Sequence, residues 1–401
     1  MIENQKTSYF AGDDALDDPS AAVSSTQGFQ DALDRCLHRV RAGLSTAGLR
    51  NPRIGLGGNR WAYCDGPDWV MGFFSGQLWL CYQLSGDATF ARAAQMRRPQ
   101  FREVLDNRRA RDHDLGFVFS LHSVADWKLT GDPTARAMGI EAARALVARF
   151  REEGHYIQAW NPTGPEDRTR SRFANGRMIA DTIQNLALLH WAHRETGVED
   201  FREVADLHEE TSRKYLVRED DTTFHCFLFD PASGEPLRGE THQGHADASC
   251  WARGQAWLIH GFANCHRLTG NPAAFDAALR LARKAEALIG PTGLAPWDYA
   301  LPRDAGHPVD SSAVAVTAAG VLLLADAATG EDATRLRAFG HRLLQDLLDH
   351  CDLTRTPGAE GLLAHGAAHV PAGREDAMLP YGDYYFMEAL MRARGHRDFF
   401  W

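Results

Sequence analysis

HRLTGNPAAF, His266–Phe275, holds the end of one helix, a turn and the start of the next in ten residues. Gly270 suits the left-handed residue that closes a helix, and Asn271 suits the N-cap of the one after it. The device recurs as YQLSGDATF (Tyr82–Phe90), WKLTGDPTA (Trp127–Ala135), HRETGVEDF (His193–Phe201), DAATGEDAT (Asp326–Thr334) and MRARGHRDFF (Met391–Phe400). The six glycines stand at 86, 131, 197, 270, 330 and 395, so the spacings are 45, 66, 73, 60 and 65 residues. A solenoid has a shorter and more uniform period. Six long, unequal helical hairpins instead predict an all-α closed ring, an (α/α)6 barrel. Inner helices turn small and polar residues toward a central cavity, and outer helices are amphipathic, as Ala278–Ile289 is. One stretch, Phe224–Phe229, alternates like a strand and then turns through Pro231–Pro236, which predicts a small β-hairpin near the cavity mouth.

The chain has 401 residues, of which 44% are apolar, ample for a large core. Residues 1–27 are rich in Asp, Ser and Ala and are expected to be a disordered tail. No Gly/Ser linker interrupts residues 30–401, so residues 28–401 are expected to form a single domain. Seven scattered cysteines with no C-x-x-C pair point to free thiols in a reducing compartment. No signal peptide and no apolar run of membrane length is recognisable, so a cytoplasmic location is expected. Net charge is −10 and no basic block exceeds Arg108-Arg109-Ala110-Arg111, which argues against a nucleic-acid partner.

Thr241–Trp257, THQGHADASCWARGQAW, is the densest polar and aromatic stretch. It reads as a loop running into a helix, with Asp247 or Ser249 as N-cap. Arg253 and Trp257 are four apart and share a helix face. A guanidinium beside an indole suits a flat, anionic, ring-shaped ligand such as a uronic acid; the plainer alternative is a buried Arg held by carboxylates, with Trp as core.

Four further clusters carry chemistry. Asp112-His113-Asp114 precedes a helix, whose dipole favours ionised carboxylates; alternatively one of the aspartates is simply its N-cap. Arg177, Asp181 and Asn185 are spaced by four and predict a polar stripe on a buried helix, facing a cavity or closed by an Arg177–Asp181 pair. That Arg would depress the carboxyl pKa, whereas a general acid needs it raised. Gly72 and Gly76 lie one turn apart in an apolar helix that begins near Trp69, which predicts a close neighbour or ligand. Tyr381 stands ahead of the last helix in Pro380-Tyr381-Gly382-Asp383-Tyr384-Tyr385. No phosphate loop, nucleophile elbow or zinc-helix motif occurs, and the adjacency of His113 and Asp114 does not suit two ligands of one ion. No metal or cofactor is expected.

Taken together, HDLGF (113–117), R-x-x-x-D-x-x-x-N (177–185), the 241–257 block, LLAHG (362–366) and YGDYYFMEAL (381–390) resemble the unsaturated glucuronyl hydrolases, in the right order from about Trp61 to Leu390. The resemblance implies the same barrel and a small-oligosaccharide substrate ending in a 4,5-unsaturated uronic acid. It implies hydration of the C4=C5 enol ether, with Asp181 as general acid and base and Asp114 as the supporting carboxylate. Trp69, His113, His225, Gln243, Arg253, Trp257 and Tyr381 match substrate-binding positions. Members preferring sulfated substrates carry a Ser- and Lys-containing patch before the YGDYY-like segment. Here His365–Ala377 reads HGAAHVPAGREDA, without Ser or Lys, which predicts a preference for unsulfated substrates. The competing readings are an unsaturated rhamnogalacturonyl hydrolase, a sugar epimerase on the same barrel and a non-catalytic sugar-binding protein.

Overall fold

Two kinds of helix alternate along the chain. SSAVAVTAAGVLLLADA, Ser311–Ala327 (α12), is small and apolar all round and is buried from Ser311 to Ala325. Pro272–Ile289 (α11) buries only Ala274, Ala277, Ala278, Leu281, Ala282, Ala285 and Ile289, a stripe at three- and four-residue spacing. Helices of the first kind have protein on every side, and helices of the second kind face water. In the computed structural model, which describes residues 19–162, 173–291, 293–302 and 306–401, with side chains from residue 27, these two kinds form two concentric rings.

The inner ring comprises Met71–Ser85 (α2), Leu115–Thr130, Thr182–Thr196 (α8), Ala252–Thr269 (α10), α12 and Pro380–Ala393 (α14). Each packs on the next, and α14 closes the circle on α2. The second inner helix is α5 (Leu115–Phe119) and α6 (Ala125–Thr130), joined by a π-helical turn at Ser120–Val124. Outside lie Pro19–Ala47 (α1), Ala88–Gln95 with Arg98–Asp106 (α3, α4), Pro133–Val147 (α7), Glu199–Tyr215 (α9), α11 and Gly330–His350 (α13). The fold is an (α/α)6 barrel. Its buried core runs continuously from Phe29 to Trp401. The tail expected over residues 1–27 falls largely outside the described residues, and α1 begins at Pro19. Among the described residues no helix is long and apolar enough to cross a membrane.

The turn device is realised at four of its six places. Gly86, Gly131, Gly197 and Gly270 end their helices in the left-handed conformation. Asp87, Asp132 and Asn271 then cap the next helix through their side chains. Gly330 departs from the pattern: Ala328, in extended backbone, ends α12, and Gly330 opens α13. Gly395, with φ of 88°, follows α14 by two residues.

The strands exceed the single expected hairpin. Pro52–Leu56 (β1) pairs with Arg60–Tyr63 (β2), and Phe150–Arg151 (β3) with Tyr156–Ile157 (β4). The expected hairpin is Cys226–Phe229 (β6) with Pro236–Glu240 (β7), and Arg177–Ile179 (β5) pairs on its other side. Arg177, Asp181 and Asn185 therefore do not form one helical stripe. β5 pairs with Cys226–Leu228, and the helix starts only at Thr182. Strand pairing with a segment about fifty residues away takes the backbone groups that the helix would have used.

The start of α10 also differs. Trp251, in extended backbone, is its N-cap residue, without a side-chain bond. Asp247 instead accepts the Thr241 N–H at 2.9 Å, and Ser249 Oγ donates to Asp298 at 2.6 Å. Both fold the loop ahead of the helix.

Candidate active site

Asp114 and Asp181 stand at the starts of neighbouring inner helices, α5 and α8. The contact between those helices is unusually close. A Cβ on Gly116 would lie 2.4 Å from Asn185 Cα, so only hydrogen fits there. Asn185 Oδ1 accepts the Phe117 N–H at 2.6 Å, and Asn185 Nδ2 donates to the Asp181 carbonyl at 3.3 Å. One amide thus ties both helix starts together. The two carboxyls are close enough that the charge of Asp181 raises the pKa of Asp114. Gly72 serves a similar purpose: its Cβ would lie 2.1 Å from the Phe117 carbonyl oxygen, so the close neighbour the sequence predicted is the backbone of α5.

Burial dominates the electrostatics. It lifts Asp181 to about 6, against the opposing charge of Arg253. Asp114 is pushed well above the usual carboxylate range, first by burial, then by Asp112 and Asp181. The ionised Asp114 expected from the helix dipole is not what the site favours, because burial and two neighbouring carboxyls outweigh it. Nor is Asp181 held down by Arg177, which pairs with Glu240 at 2.8 Å. His113 is buried, with Nδ1 2.7 Å from the Ala159 carbonyl oxygen and Nε2 3.3 Å from Asp114. The carbonyl can only accept, so Nδ1 carries the proton. Burial and Arg149 push its pKa down to about 3, so it is neutral.

Asp112, His113 and Asp114 bring possible ligand atoms within 4.8 Å of one another, closer than their adjacency suggested. Each is engaged locally: Asp112 accepts the Asp114 N–H at 2.9 Å, and His113 is bound as above.

Arg253 is buried and held by a carboxylate and by backbone carbonyls. It is 2% exposed, pairs with Asp310, and donates to the Ala367 and Ala368 carbonyls at 2.7 and 2.9 Å. Its guanidinium lies over the rings of Trp251 (4.4 Å) and Tyr381 (5.3 Å). Trp257 is fully buried against Phe117 and Tyr385, so its indole is a wall and not an open platform. Trp69 stacks on Tyr381 at 5.1 Å. Gln243 Nε2 donates to the Ala368 carbonyl at 3.1 Å. His225 is buried with Nε2 3.8 Å from Asp181 Oδ2. Asp181 Oδ2, His225 Nε2 and Trp257 Nε1 are all buried without a hydrogen-bond partner. Three unsatisfied polar atoms in one place carry a penalty of ~1–3 kcal/mol each unless a ligand or water meets them.

Residues 57–274 match the family described as Glycosyl Hydrolase Family 88. The chain belongs to glycosyl hydrolase family 88. It is an unsaturated glucuronyl hydrolase by class, 39% identical over 369 residues to the unsaturated glucuronyl hydrolase of Bacillus sp. (strain GL1), covering 91% of this chain and 96% of the relative. The solved Bacillus sp. GL1 structure, described as responsible for the degradation of glycosaminoglycan, matches with a TM-score of 0.86 at 38% identity, over 92% of this chain and 97% of that one. An unsaturated glucuronyl hydrolase from Streptococcus agalactiae matches with a TM-score of 0.87 at 29% identity, over 97% and 98%. A variant of the S. agalactiae enzyme, matching at 0.81 with 28% identity over 94% of each chain, is complexed with dGlcA-GalNAc6S.

The candidate site also contains residues that sequence reasoning passed over. Asp310 holds Arg253 and caps α12 through the Ser312 N–H; the signal was Asp-Ser-Ser just before an apolar run. Trp160 and Phe173 stack at 5.1 Å and meet His242, which in turn meets His369. Their signal was faint, since Trp160 and Phe173 belong to no periodic segment.

Proposed function

We propose that this family 88 enzyme releases a 4,5-unsaturated glucuronic acid from the non-reducing end of lyase-generated oligosaccharides by hydrating the C4=C5 bond. Asp181 gives its proton to C4 of the enol ether, and positive charge develops at C5 and the ring oxygen. Water adds at C5 as the Asp181 carboxylate takes one of its protons. The resulting hemiketal opens, and the rest of the oligosaccharide leaves as the alcohol. The new C–H and C–O bonds come from one water in total, and Asp181 returns to its starting state.

The observation that carries this reading is the Asp181 carboxyl itself: buried, lifted to about 6, and with an unpartnered oxygen 3.8 Å from His225 Nε2. General acid–base catalysis by such a group contributes ~10²–10⁴-fold. A substrate carboxylate entering nearby adds negative charge and raises the proton affinity of Asp181 further. Asp114, also held above the usual carboxylate range by burial and its neighbouring carboxyls, acts as donor to a sugar hydroxyl and offsets developing positive charge through its dipole. Trp69, His113, Gln243, Arg253, Trp257 and Tyr381 surround the unsaturated ring, and His225 flanks it from its place beside Asp181. The dGlcA-GalNAc6S bound to the S. agalactiae variant supports the choice of ligand class.

The test is the ultraviolet absorbance of the enol ether in a lyase digest. It falls with the native enzyme and persists with Asp181→Asn, which retains binding. Turnover by Asp181→Asn would remove Asp181 from this role.

A further inference from the structure

The loop ahead of α10 bears directly on His225. The backbone N–H groups of His242 and Gln243 both donate to His225 Nδ1, at 3.1 and 3.2 Å, and Thr241 Oγ1 lies 3.4 Å from the same atom. A ring nitrogen that accepts two N–H groups carries a lone pair, so the proton is on Nε2. That Nε2 is buried, makes no hydrogen bond, and lies 3.8 Å from Asp181 Oδ2, itself unpartnered.

We infer that His225 is a fixed, uncharged hydrogen-bond donor to Asp181, with its tautomer set by the Thr241–Gln243 turn. It is a positioning residue. It gives up no proton; its Nε2–H closes on Asp181 when that side chain becomes a carboxylate, because a carboxylate accepts more strongly than a carboxylic acid. Only the Asp181 proton moves to C4, and only a water proton restores it. Protonating His225 would set a new N–H against the two amides, and burial with the nearby cations opposes the same step. The charged and titratable groups facing the imidazole are Asp181, Arg253, His113, His242 and His369, and Trp251 covers its ring at 4.4 Å.

This explains why the 241–257 stretch and the hairpin must arrive together. His225 immediately precedes β6, and its carbonyl accepts the Ala180 N–H at 2.9 Å, one residue before Asp181. The hairpin therefore positions the acid through its backbone and the donor through its side chain.

The inference rests on Asp181 as the acid, which the Asp181→Asn assay tests separately. Nitrogen-15 spectra of histidine-labelled enzyme, with the His225 signals assigned by their loss in His225→Asn, report the tautomer whichever residue is the acid. A neutral Nε2–H ring unchanged from about pH 5 to 8 is expected. An Nδ1–H tautomer, or titration in that interval, overturns the inference. His225→Asn keeps an oxygen for the two backbone amides and loses the donor. Its kcat should fall roughly 10- to 100-fold with KM nearly unchanged, and the alkaline limb of kcat should move to higher pH. His225→Gln restores an N–H at the ε position and should recover much of kcat. Equal losses in the two variants, or an unmoved alkaline limb, count against the inference.

Discussion

Asn185 accepts the Phe117 N–H at 2.6 Å across a contact where Gly116 leaves room for nothing larger than hydrogen. The distance between Asp114 and Asp181 is set there, two residues after one acid and four after the other. A methyl at Gly116 meets backbone, which cannot swing aside as a side-chain tip can. Gly116→Ala should cost ~1–3 kcal/mol of stability and, by displacing one acid against the other, lower kcat by roughly 100-fold. Asn185→Ala removes the clamp without adding bulk, so its kcat should fall with a smaller loss of Tm. Denaturant melts beside steady-state rates check both. A kcat within twofold of native for Gly116→Ala in folded protein contradicts the clamp.

The raised pKa of Asp181 fixes the direction of two pH effects. In its proposed role as general acid it works protonated, so kcat/KM should fall as pH rises through about 6. Stability moves in the same direction. The folded pKa lies above the unfolded one, so between about pH 4 and pH 6 the folded state binds more protons, and stability is lost as pH rises through that interval. A lift from 3.8 to about 6 corresponds to a destabilisation on the order of 3 kcal/mol at neutral pH. Asp181→Asn should therefore be more stable than native above pH 6 and closer to it near pH 4. Urea unfolding at the two pH values reads this, and a constant difference contradicts it.

Arg253 and Asp310 make a buried pair across α10 and α12. Removing one partner strands the other, so Asp310→Ala should destabilise by ~3–5 kcal/mol. Pairing it with Arg253→Met removes the stranded charge and should recover part of that loss. Recovery in the double variant, measured as Tm, distinguishes a stranded charge from a cavity. Because Arg253 also holds the Ala367 and Ala368 carbonyls, Asp310→Ala should raise KM more than it lowers kcat.

How much of the molecule is legible in its sequence depends on how local each determinant is. The turns at Gly86, Gly131, Gly197 and Gly270 are legible because a left-handed cap depends on the glycine and its neighbours alone. Gly330 breaks the pattern because Ala328 ends its helix first. Arg177–Ile179 is a strand because its partner, Cys226–Leu228, lies about fifty residues on. Asp114 and Asp181 stand out by motif, but their protonation does not, since it depends on burial and on Asp112, Asp114 and Asp181 converging. Arg253 falls on the expected helix, yet its partner Asp310 is 57 residues away and leaves no periodic trace.

The segment His365–Ala377 offers a final prediction, because it is fastened to the site itself. Arg253 and Gln243 bind the Ala367 and Ala368 carbonyls, and the Ala367 N–H donates to Asp310 at 3.2 Å. Its tip folds back through paired His369 and Arg374 backbones, leaving the Arg374 side chain exposed. A sulfate carries a full negative charge, and a single exposed guanidinium at high dielectric returns ~1 kcal/mol or less. Neither a Ser hydroxyl nor a Lys stands in this stretch to add to it. Unsulfated unsaturated disaccharides should therefore be turned over faster than their sulfated counterparts at matched concentration, and Ala368→Ser with Ala372→Lys should narrow the gap through KM. Faster native turnover of the sulfated disaccharides would overturn the preference for unsulfated substrates.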